Sequence, residues 1–575
     1  MSRVVSKMKG NKRLIVILFV ALLLLSACSV IASTQPSISK IEIEPLILSE
    51  SEFEFVVIPG DFKEKSIEYE LVNSSFEIVD CGKLDFDTDS LKIKFSNLPS
   101  GTPFLVRFKG NDKVFFEFSF RTLKRLNQED PIDILYFVDL TNTIEGYVKV
   151  SIFGNYSNIR HLNFKRYTYH LSPNEGMELV NDPIVTFYEY LGDPKYEYDE
   201  NYYYLSMYLS DSTKGYFKIN YVCDKSKIYL SGHGVEGHLN ERYFIASHEQ
   251  FLILPDLYDI NMVDLDSFVS AIIPYGWEID TWWKRTDLGL LKIDENKIPE
   301  DINEFRCIWG ALHFYAFNPD FFEVFVKKIG DTNVKVIKEK SIKSSYEIST
   351  FKIYEKLLEH WGEDVDYRNC DYKDYTVMFV DENTQVYAGE YTDAQAFSKV
   401  WGVGEMLVHQ IFHRWNGWAC GIEIEVGEDD DNYSYGLWAE GVNEFYCDKI
   451  LTELSLTYPN EYMTAWYKYY KEIYGSEKDC PIIYFDFGKH DSYLPYGKGA
   501  VIAYYLDKRL TEISNGEYSM DDVLKYFFKR WKEKRLGFSY YEFFNYLEKL
   551  GGKEFVKEAR EIIYNNKKIV LEEFE

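Results

Sequence analysis

The chain lacks several features that would narrow its class. None of its eight cysteines forms a Cys-x-x-C pair, which argues against a zinc site built from cysteine thiolates. It also has no internal repeat, no low-complexity run and no proline-rich linker. Basic residues are comparatively few, since 64 Lys and Arg stand against 93 Asp and Glu and the net charge is −29. This balance argues against nucleic acid as a partner and favours ligands with a free amino group or basic character.

The N-terminus has the pattern of an export signal. A basic start is followed by an apolar run over residues 14–25, which is short for a transmembrane helix but suits a signal peptide. The next residues, Leu25-Ser26-Ala27-Cys28, resemble a bacterial lipobox, whose cysteine is acylated. We therefore predict a signal peptide over 1–27, a lipid anchor at Cys28 and a tether over 28–40. The protein would sit on the outer face of a bacterial membrane; the alternative is a plain signal peptide with an incidental cysteine.

The rest of the chain changes from strand-like to helix-like patterning. Short alternating runs over 41–125 predict an immunoglobulin or fibronectin type III-like β-sandwich, and a second β-rich stretch covers 130–270. From about Val269 the apolar spacing becomes helical, which predicts a catalytic-type domain over 271–460 and a helical subdomain over 461–575. The fold class is therefore multidomain, β followed by α+β, with β-sandwiches ahead of a mostly helical domain.

Two histidines four residues apart are the first candidate metal ligands. His409 and His413 would project from one face of a helix, where both imidazoles can bind one zinc ion. Leu407 and Ile411 recur at helical spacing and support that helix. Gln410 stands directly after the first histidine, where a zinc protease of this kind carries Glu. The alternative is that His409 and His413 are ordinary helix residues whose nitrogens form hydrogen bonds. A third ligand is therefore required to support a metal site.

Residues 437–446, LWAEGVNEFY, supply a candidate for that third ligand. Glu440 heads an expected second helix, and its carboxylate would complete a His-His-Glu set that leaves one zinc position open. The alternative is a helix-start carboxylate stabilised by the macrodipole. Glu444 lies one turn later, and Glu405 lies one turn before His409, so both are candidates to orient an imidazole rather than to bind zinc.

Tyr496 is a candidate for stabilising a transition state. It lies in YLPYGKGA, before an expected Gly-Lys-Gly turn that opens a helix. A phenol held there can donate a hydrogen bond to the oxyanion that forms when water attacks a carbonyl. Because the chain has 48 tyrosines, ordinary packing is the alternative for any one of them.

Other polar clusters are weaker candidates. His233, Glu236 and His238 lie in a predicted β region without helical register, which favours a loop that binds no metal. The acidic run 428–431 is most simply a solvated loop, because it lacks the spacing of a calcium site.

Together, HQIFHRWN, LWAEGVNEFY and YLPYGKGA resemble the glycyl aminopeptidase family of gluzincin zinc metallopeptidases in order and approximate spacing. The resemblance covers about residue 130 to the C-terminus and implies a β domain ahead of a thermolysin-like catalytic domain, with residues 41–123 as an added module. It implies Zn bound by His409, His413 and Glu440, and a catalytic role for Tyr496. Residues 387–391 resemble a degraded form of the family's Gly-Gly-x-Glu-His segment, so Glu390 is a candidate for binding the substrate's amino end. The resemblance does not include the PDZ domain often found at the end of this family.

Gln410 is the main departure from the family. In the family's mechanism the corresponding Glu takes a proton from the zinc-bound water, whereas an amide cannot accept one at neutral pH. The zinc ligands are unchanged, so metal binding should survive. Two functions therefore stay open. One is a membrane-anchored aminopeptidase-like hydrolase with impaired activity; the other is an inactive pseudopeptidase that binds peptides or a protein partner through a zinc-clamped cleft.

Overall fold

The computed structural model of the chain divides into two compact units, residues 1–122 and 123–575. The residues that it describes are 41–58, 66–85, 90–110, 113–127, 132–157, 159–165, 179–189, 195–199, 204–209, 214–226, 230–231, 234–235, 238–247, 251–255, 266–281, 283–294, 313–365, 374–382, 387–388, 394–398, 404–416, 420, 436–485, 489–534 and 537–574. Within these ranges no helix combines the length and the apolarity needed to cross a membrane.

The first unit is a sandwich of two antiparallel sheets. One sheet has the order β1-β2-β5 and the other β4-β3-β6-β7. Their strands are β1 (Glu42–Leu48), β2 (Phe53–Ile58), β3 (Ser66–Val72), β4 (Ile78–Asp85), β5 (Leu91–Phe95), β6 (Pro103–Gly110) and β7 (Lys113–Arg121). Aromatic rings join the two inner faces: Phe53 lies 4.2 Å from Phe120, and Phe55 lies 5.5 Å from Phe118, between ring centroids. Inward-facing apolar residues of β1, β2, β5, β6 and β7 form the buried face between the sheets.

The second unit begins with four sheets. A seven-stranded sheet has the order β11-β14-β9-β8-β20-β23-β22, and two four-stranded sheets have the orders β12-β13-β10-β19 and β17-β18-β24-β21; β15 and β16 form a hairpin. The strands are β8 (Ile132–Asp139), β9 (Tyr147–Ser157), β10 (His161–Lys165), β11 (Ile184–Tyr188), β12 (Lys195–Asp199), β13 (Tyr204–Tyr208), β14 (Lys214–Asp224), β15 (Leu230–Ser231), β16 (Gly234–Val235), β17 (His238–Leu239), β18 (Tyr243–Ser247), β19 (Leu254–Pro255), β20 (Asp266–Ile272), β21 (Glu278–Thr281), β22 (Lys284–Arg285), β23 (Leu291–Asp294) and β24 (His313–Phe317).

A five-stranded sheet and a group of helices complete this unit. The sheet has the order β25-β26-β27-β29-β28, and its central strands β26, β27 and β29 run parallel. Its strands are β25 (Phe322–Ile329), β26 (Thr332–Glu339), β27 (Asp374–Val380), β28 (Tyr387–Ala388) and β29 (Ala394–Ser398). The described helices are α1 (Tyr346–Trp361), α2 (Glu405–His413), α3 (Val442–Glu453), α4 (Glu461–Ile473), α5 (Leu494–Ile513), α6 (Met520–Lys534) and α7 (Tyr540–Asn565). A π-helical turn, Gly436–Gly441, precedes α3, and 3-10 turns occupy Ile482–Tyr484 and Glu572–Phe574.

The predicted order of a β-rich region followed by a mostly helical one is confirmed, but its boundary was placed too early. Helical spacing was expected from about Val269, whereas strands continue to Glu339 and the first described helix starts at Tyr346. Strands buried on both faces explain the error, because they lose the apolar–polar alternation that identifies a strand. All five residues of β24, for example, are buried.

A partly buried network of polar and charged side chains joins three of the helices. His360, at the end of α1, places Nδ1 2.8 Å from Asp521 on α6 and Nε2 3.2 Å from Glu453 on α3. Tyr446 and Lys449, both on α3, donate to the other oxygen of Asp521 at 2.6 and 2.8 Å. Burial by itself would raise the pKa of Asp521, but the hydrogen bond with His360 and the charge of Lys449 outweigh it and hold the pKa well below its usual value.

We expect Asp521→Asn to destabilise the helical region by about 1–3 kcal/mol at pH 7, because the partly buried Lys449 loses its counter-charge and the hydrogen bonds to the carboxylate are weakened. Because the pKa of Asp521 is lower in the folded protein than in the unfolded chain, where it is about 3.9, its charge stabilises the folded state at pH values above about 3.9. This contribution is lost as the pH falls through the pKa of the folded protein. The difference between variant and wild type should therefore shrink below about pH 4. Denaturant unfolding across pH measures it, with Glu533→Gln at an exposed site of α6 as control; a penalty that does not depend on pH would contradict the assignment.

Candidate metal centre

Helix α2 and the π-helical turn bring three predicted ligands together. His409 and His413 lie on one face of α2, and every residue from Leu407 to His413 is buried. Glu440 lies in the π-helical turn and not at the start of an α-helix as expected. Its carboxylate faces the two imidazoles. The facing nitrogens and the carboxylate oxygen all lie within 4.8 Å of one another.

The separations of these three atoms match tetrahedral zinc ligands. Nε2 of His409 lies 2.9 Å from Nε2 of His413 and 3.2 Å from Oε2 of Glu440, and the third separation is 3.7 Å. Ligand atoms bound at 2.0–2.1 Å in a tetrahedron lie about 3.3 Å apart. The three residues therefore fit one zinc ion as two imidazoles and a carboxylate.

The far side of each imidazole supports the same conclusion. Nδ1 of His413 lies 3.2 Å from the carbonyl oxygen of Asn416, and Nδ1 of His409 lies 2.7 Å from Oε1 of Glu444. The carbonyl group favours a proton on Nδ1 of His413, and the charge of Glu444 favours one on Nδ1 of His409, which leaves both Nε2 lone pairs directed at each other. Two lone pairs 2.9 Å apart repel unless a cation or a proton lies between them. Accordingly, burial would lower the pKa of His409, but hydrogen bonds with Cys447, Glu440 and Glu444 raise it well above its usual value.

The two carboxyl groups expected to orient an imidazole lie behind His409. Glu444 contacts Nδ1 of His409 and accepts a hydrogen bond from Trp466 Nε1 at 3.0 Å. Burial, together with a hydrogen bond to Glu444, raises the pKa of Glu405 to about 9. Glu405 is therefore neutral at pH 7 and can donate to Glu444, which keeps its charge for His409.

A second group, His409, Glu444 and Cys447, also lies within metal-binding distance but suits zinc less well. It uses the Nδ1 side of His409, and burial raises the pKa of the Cys447 thiol, so that the thiolate a metal needs is disfavoured. By contrast, burial would raise the pKa of Glu440, but His409 and His413 lower it, which keeps this ligand anionic.

Gln410 lies in α2 between the two histidines, but its side chain forms few polar contacts with the described residues. The side chain is 5% exposed, and its Nε2 contacts Met406 Sδ at 3.8 Å. Its Oε1 is buried and has no hydrogen-bond partner among the described residues. An unpaired buried amide oxygen is costly, so a water molecule or a ligand is expected to donate to it.

Tyr496 lies beside the metal ligands, with its ring centroid 5.9 Å from that of His409. It belongs to the first turn of α5, which starts at Leu494 with Pro495 as an early residue. The expected Gly-Lys-Gly turn is therefore wrong, because Gly497, Lys498 and Gly499 are helical.

Two glycines allow the π-helical turn and α5 to come into backbone contact. A Cβ on Gly441 would lie 2.4 Å from the Cα of Gly499, and one on Gly499 would lie 2.7 Å from the Cα of Gly441. Backbone contacts this close cannot be relieved by turning a side chain. The glycine pair therefore sets the spacing between the turn that carries Glu440 and the helix that carries Tyr496.

Several supporting residues escaped sequence reasoning. Asn416 donates to the carbonyl oxygen of Trp438 and to Oδ1 of Asn443, both at 2.6 Å, and Asn443 donates to the carbonyl oxygen of His409 at 3.4 Å. These amides join the end of α2 to α3. The signal for them in the sequence is Trp415-Asn416, the pair that ends the HQIFHRWN segment.

Some predicted residues lie outside the described ones. They are Cys28, Glu390, His233, Glu236 and residues 428–431. His238 is described and buried, and its ring nitrogens contact the carbonyl oxygen of Lys225 and the amide of Asn240, both at 3.2 Å.

The fold is that of the aminopeptidase N family. A crystal structure of an aminopeptidase N family protein from Idiomarina loihiensis matches with a TM-score of 0.59 and 14% identity, over 77% of this chain and 77% of that one. A mutant M1 zinc metallopeptidase from Deinococcus radiodurans matches with a TM-score of 0.48 and 12% identity, over 76% of this chain and 95% of that one. No family model and no curated protein matches the sequence. At such identities the likeness shows the fold alone, so the chemistry of the site rests on its own residues.

We expect Gly499→Ala to weaken zinc binding by about tenfold or more, because the added methyl group pushes the π-helical turn away and displaces Glu440. Zinc affinity measured by chelator competition tests this, and Glu512→Ala at an exposed site of the same helix is the control. Unchanged zinc affinity in a folded Gly499→Ala protein would show that the crossing does not position the ligand.

Proposed function

We propose that this chain is a peptide-binding, zinc aminopeptidase-like protein whose hydrolysis is impaired at water activation. The observation that carries the proposal is a complete ligand set, His409, His413 and Glu440, beside a carboxamide at Gln410. The aminopeptidase N-like fold supports the substrate class, and the net charge of −29 favours ligands with a free amino group.

The consequences for catalysis follow from the side chains. A zinc ion held by the three ligands would supply a Lewis acid that polarises a carbonyl and acidifies water. Gln410 can orient a water molecule through hydrogen bonds, but its amide cannot take the proton. Losing general-base help costs about 10²–10⁴ in rate, or roughly 3–5 kcal/mol of barrier. Tyr496 keeps its hydroxyl and can still donate to an oxyanion.

A second candidate function, binding without turnover, is favoured by the positions of the nearest carboxyl groups. Glu444 and its partner Glu405 lie on the Nδ1 side of His409, whereas the metal would lie on the Nε2 side. Neither can take a proton from a water molecule on the far side of the ring. In this case the metal would act as a structural clamp for a site that holds a peptide or a protein partner.

The two functions are separated by restoring the missing base. We expect the wild type to bind one zinc ion per chain and to cleave aminoacyl substrates at least about 100-fold more slowly than Gln410→Glu. Zinc content, peptide binding by calorimetry and turnover are measured together, with His413→Ala as the control that loses the metal. Zinc and peptide binding without wild-type turnover would favour the pseudopeptidase. Robust wild-type turnover that a chelator abolishes and Gln410→Glu does not raise would refute impaired catalysis.

We also propose that acyl chains on Cys28 tether the protein to the outer face of a bacterial membrane. The basic start, the apolar run and the lipobox-like Leu-Ser-Ala-Cys support this. Cys28→Ser should abolish fatty-acid labelling and move the protein out of the membrane fraction, whereas Cys81→Ser, at an exposed thiol of the sandwich, should do neither. Continued labelling of the Cys28→Ser protein would contradict the anchor.

A further inference from the structure

Among the described residues, the outer edge of the five-stranded sheet is a strand that exposes both apolar and charged side chains. Strand β25 pairs with β26 on one side, and the sheet order places it at the edge opposite β28. Val324 is 44% exposed and Val326 is 59% exposed, and Phe321, just before the strand, is 44% exposed. An edge of this kind offers unpaired backbone groups and apolar side chains to another strand.

The hairpin geometry shows which backbone groups face outwards. Ile329 pairs with Thr332 across the two-residue turn that contains Gly330, whose φ is +59°. The two residues that flank a two-residue turn form a hydrogen-bonded pair. Hydrogen-bonded and non-hydrogen-bonded pairs then alternate along the two strands. The amide and carbonyl groups of Phe322, Val324 and Val326 therefore point away from β26.

The sequence of this strand is complementary to itself in the antiparallel sense. With a two-fold axis at Phe325, Val324 of one copy faces Val326 of the other, and both positions have outward-pointing backbone groups. The same register places Glu323 opposite Lys327 on each side of the axis, and opposite charges at facing positions stabilise a pair of strands. Lysines on an edge strand usually oppose pairing, but here Lys327 meets a carboxylate.

Helix α1 extends the apolar surface beside this edge. Lys327 of β25 binds Glu355 of α1 at 2.6 Å, which places that side of the helix over the edge strand. Ile348 lies on the same side, seven residues before Glu355, and is 50% exposed. A stable interface needs about 1,200 Å², more than one strand pair supplies, so the flanking helix is a necessary part of it.

The local charge also suits contact between two copies of an acidic chain. Residues 321–340 contain five lysines and three acidic residues, a net charge of +2 in a chain of −29. The long-range repulsion that opposes association of two such chains is therefore lower at this hairpin than the net charge of the chain implies.

We propose that β25 is the interface of a two-fold dimer, in which the β25 strands of two copies pair antiparallel about Phe325 and form a continuous ten-stranded sheet. The proposal is independent of the zinc site and of the proposed function. Sheet edge β28 and helix α2 take no part in it.

The proposal is tested on the chain from residue 29 onwards, which retains every described residue. Sedimentation equilibrium should show a dimer that dissociates at about 10 µM or below. Val326→Asp should weaken dimerisation at least tenfold, whereas Val570→Asp, at a similarly exposed valine elsewhere, should leave it unchanged. A wild type that stays monomeric at about 100 µM, or a dimer that Val326→Asp does not affect, would overturn the proposal.

Charge reversal tests the register itself. Glu323→Lys and Lys327→Glu should each weaken the dimer about three- to tenfold, because each places two like-charged pairs across the axis. Because Lys327 also binds Glu355 within each copy, all three variants are made in a Glu355→Gln background, in which the double variant Glu323→Lys/Lys327→Glu should recover the affinity of that background. Circular dichroism confirms that each variant is folded. A double variant as weak as the single ones would contradict pairing about Phe325.

Discussion

The metal centre depends on two imidazole nitrogens held 2.9 Å apart, those of His409 and His413. Helical spacing places them side by side, and acceptors behind each ring turn both lone pairs inwards. Glu440 adds a buried carboxylate 3.2 Å from one of them. This concentration of lone pairs and negative charge is unfavourable by itself and becomes favourable when a cation is bound. The surrounding helices can therefore be understood as a frame that holds mutually repelling groups together.

The frame is built largely from backbone contacts and buried amides. Gly441 and Gly499 allow the π-helical turn and α5 to touch, while Asn416 and Asn443 connect α2 to α3. None of these contacts involves the side chain of Gln410. The contacts that hold the three candidate ligands in place are therefore independent of whether an amide or a carboxylate stands at position 410.

Sequence reasoning succeeded where local patterns carried the information. The helix that carries His409 and His413 and the strands of the first unit were both predicted correctly. It failed where a neighbouring element decides the local structure. Residues 497–499 were predicted as a turn because they contain two glycines, yet they are helical. Gly499 is explained by its backbone contact with Gly441. Glu440 looks like a helix start, yet it lies in a π-helical turn.

The sequence by itself predicted His409 and His413 as metal ligands and placed an amide, Gln410, between them, because both depend on residue types at short spacing along one helix. It also determined the order of a β-rich region followed by a helical one, through periodicity. Only the tertiary structure decided that Glu440 reaches the histidines, that Glu405 and Glu444 lie behind His409, and that strand β25 is an exposed edge. These are distances between segments far apart in the chain, and no local pattern encodes them.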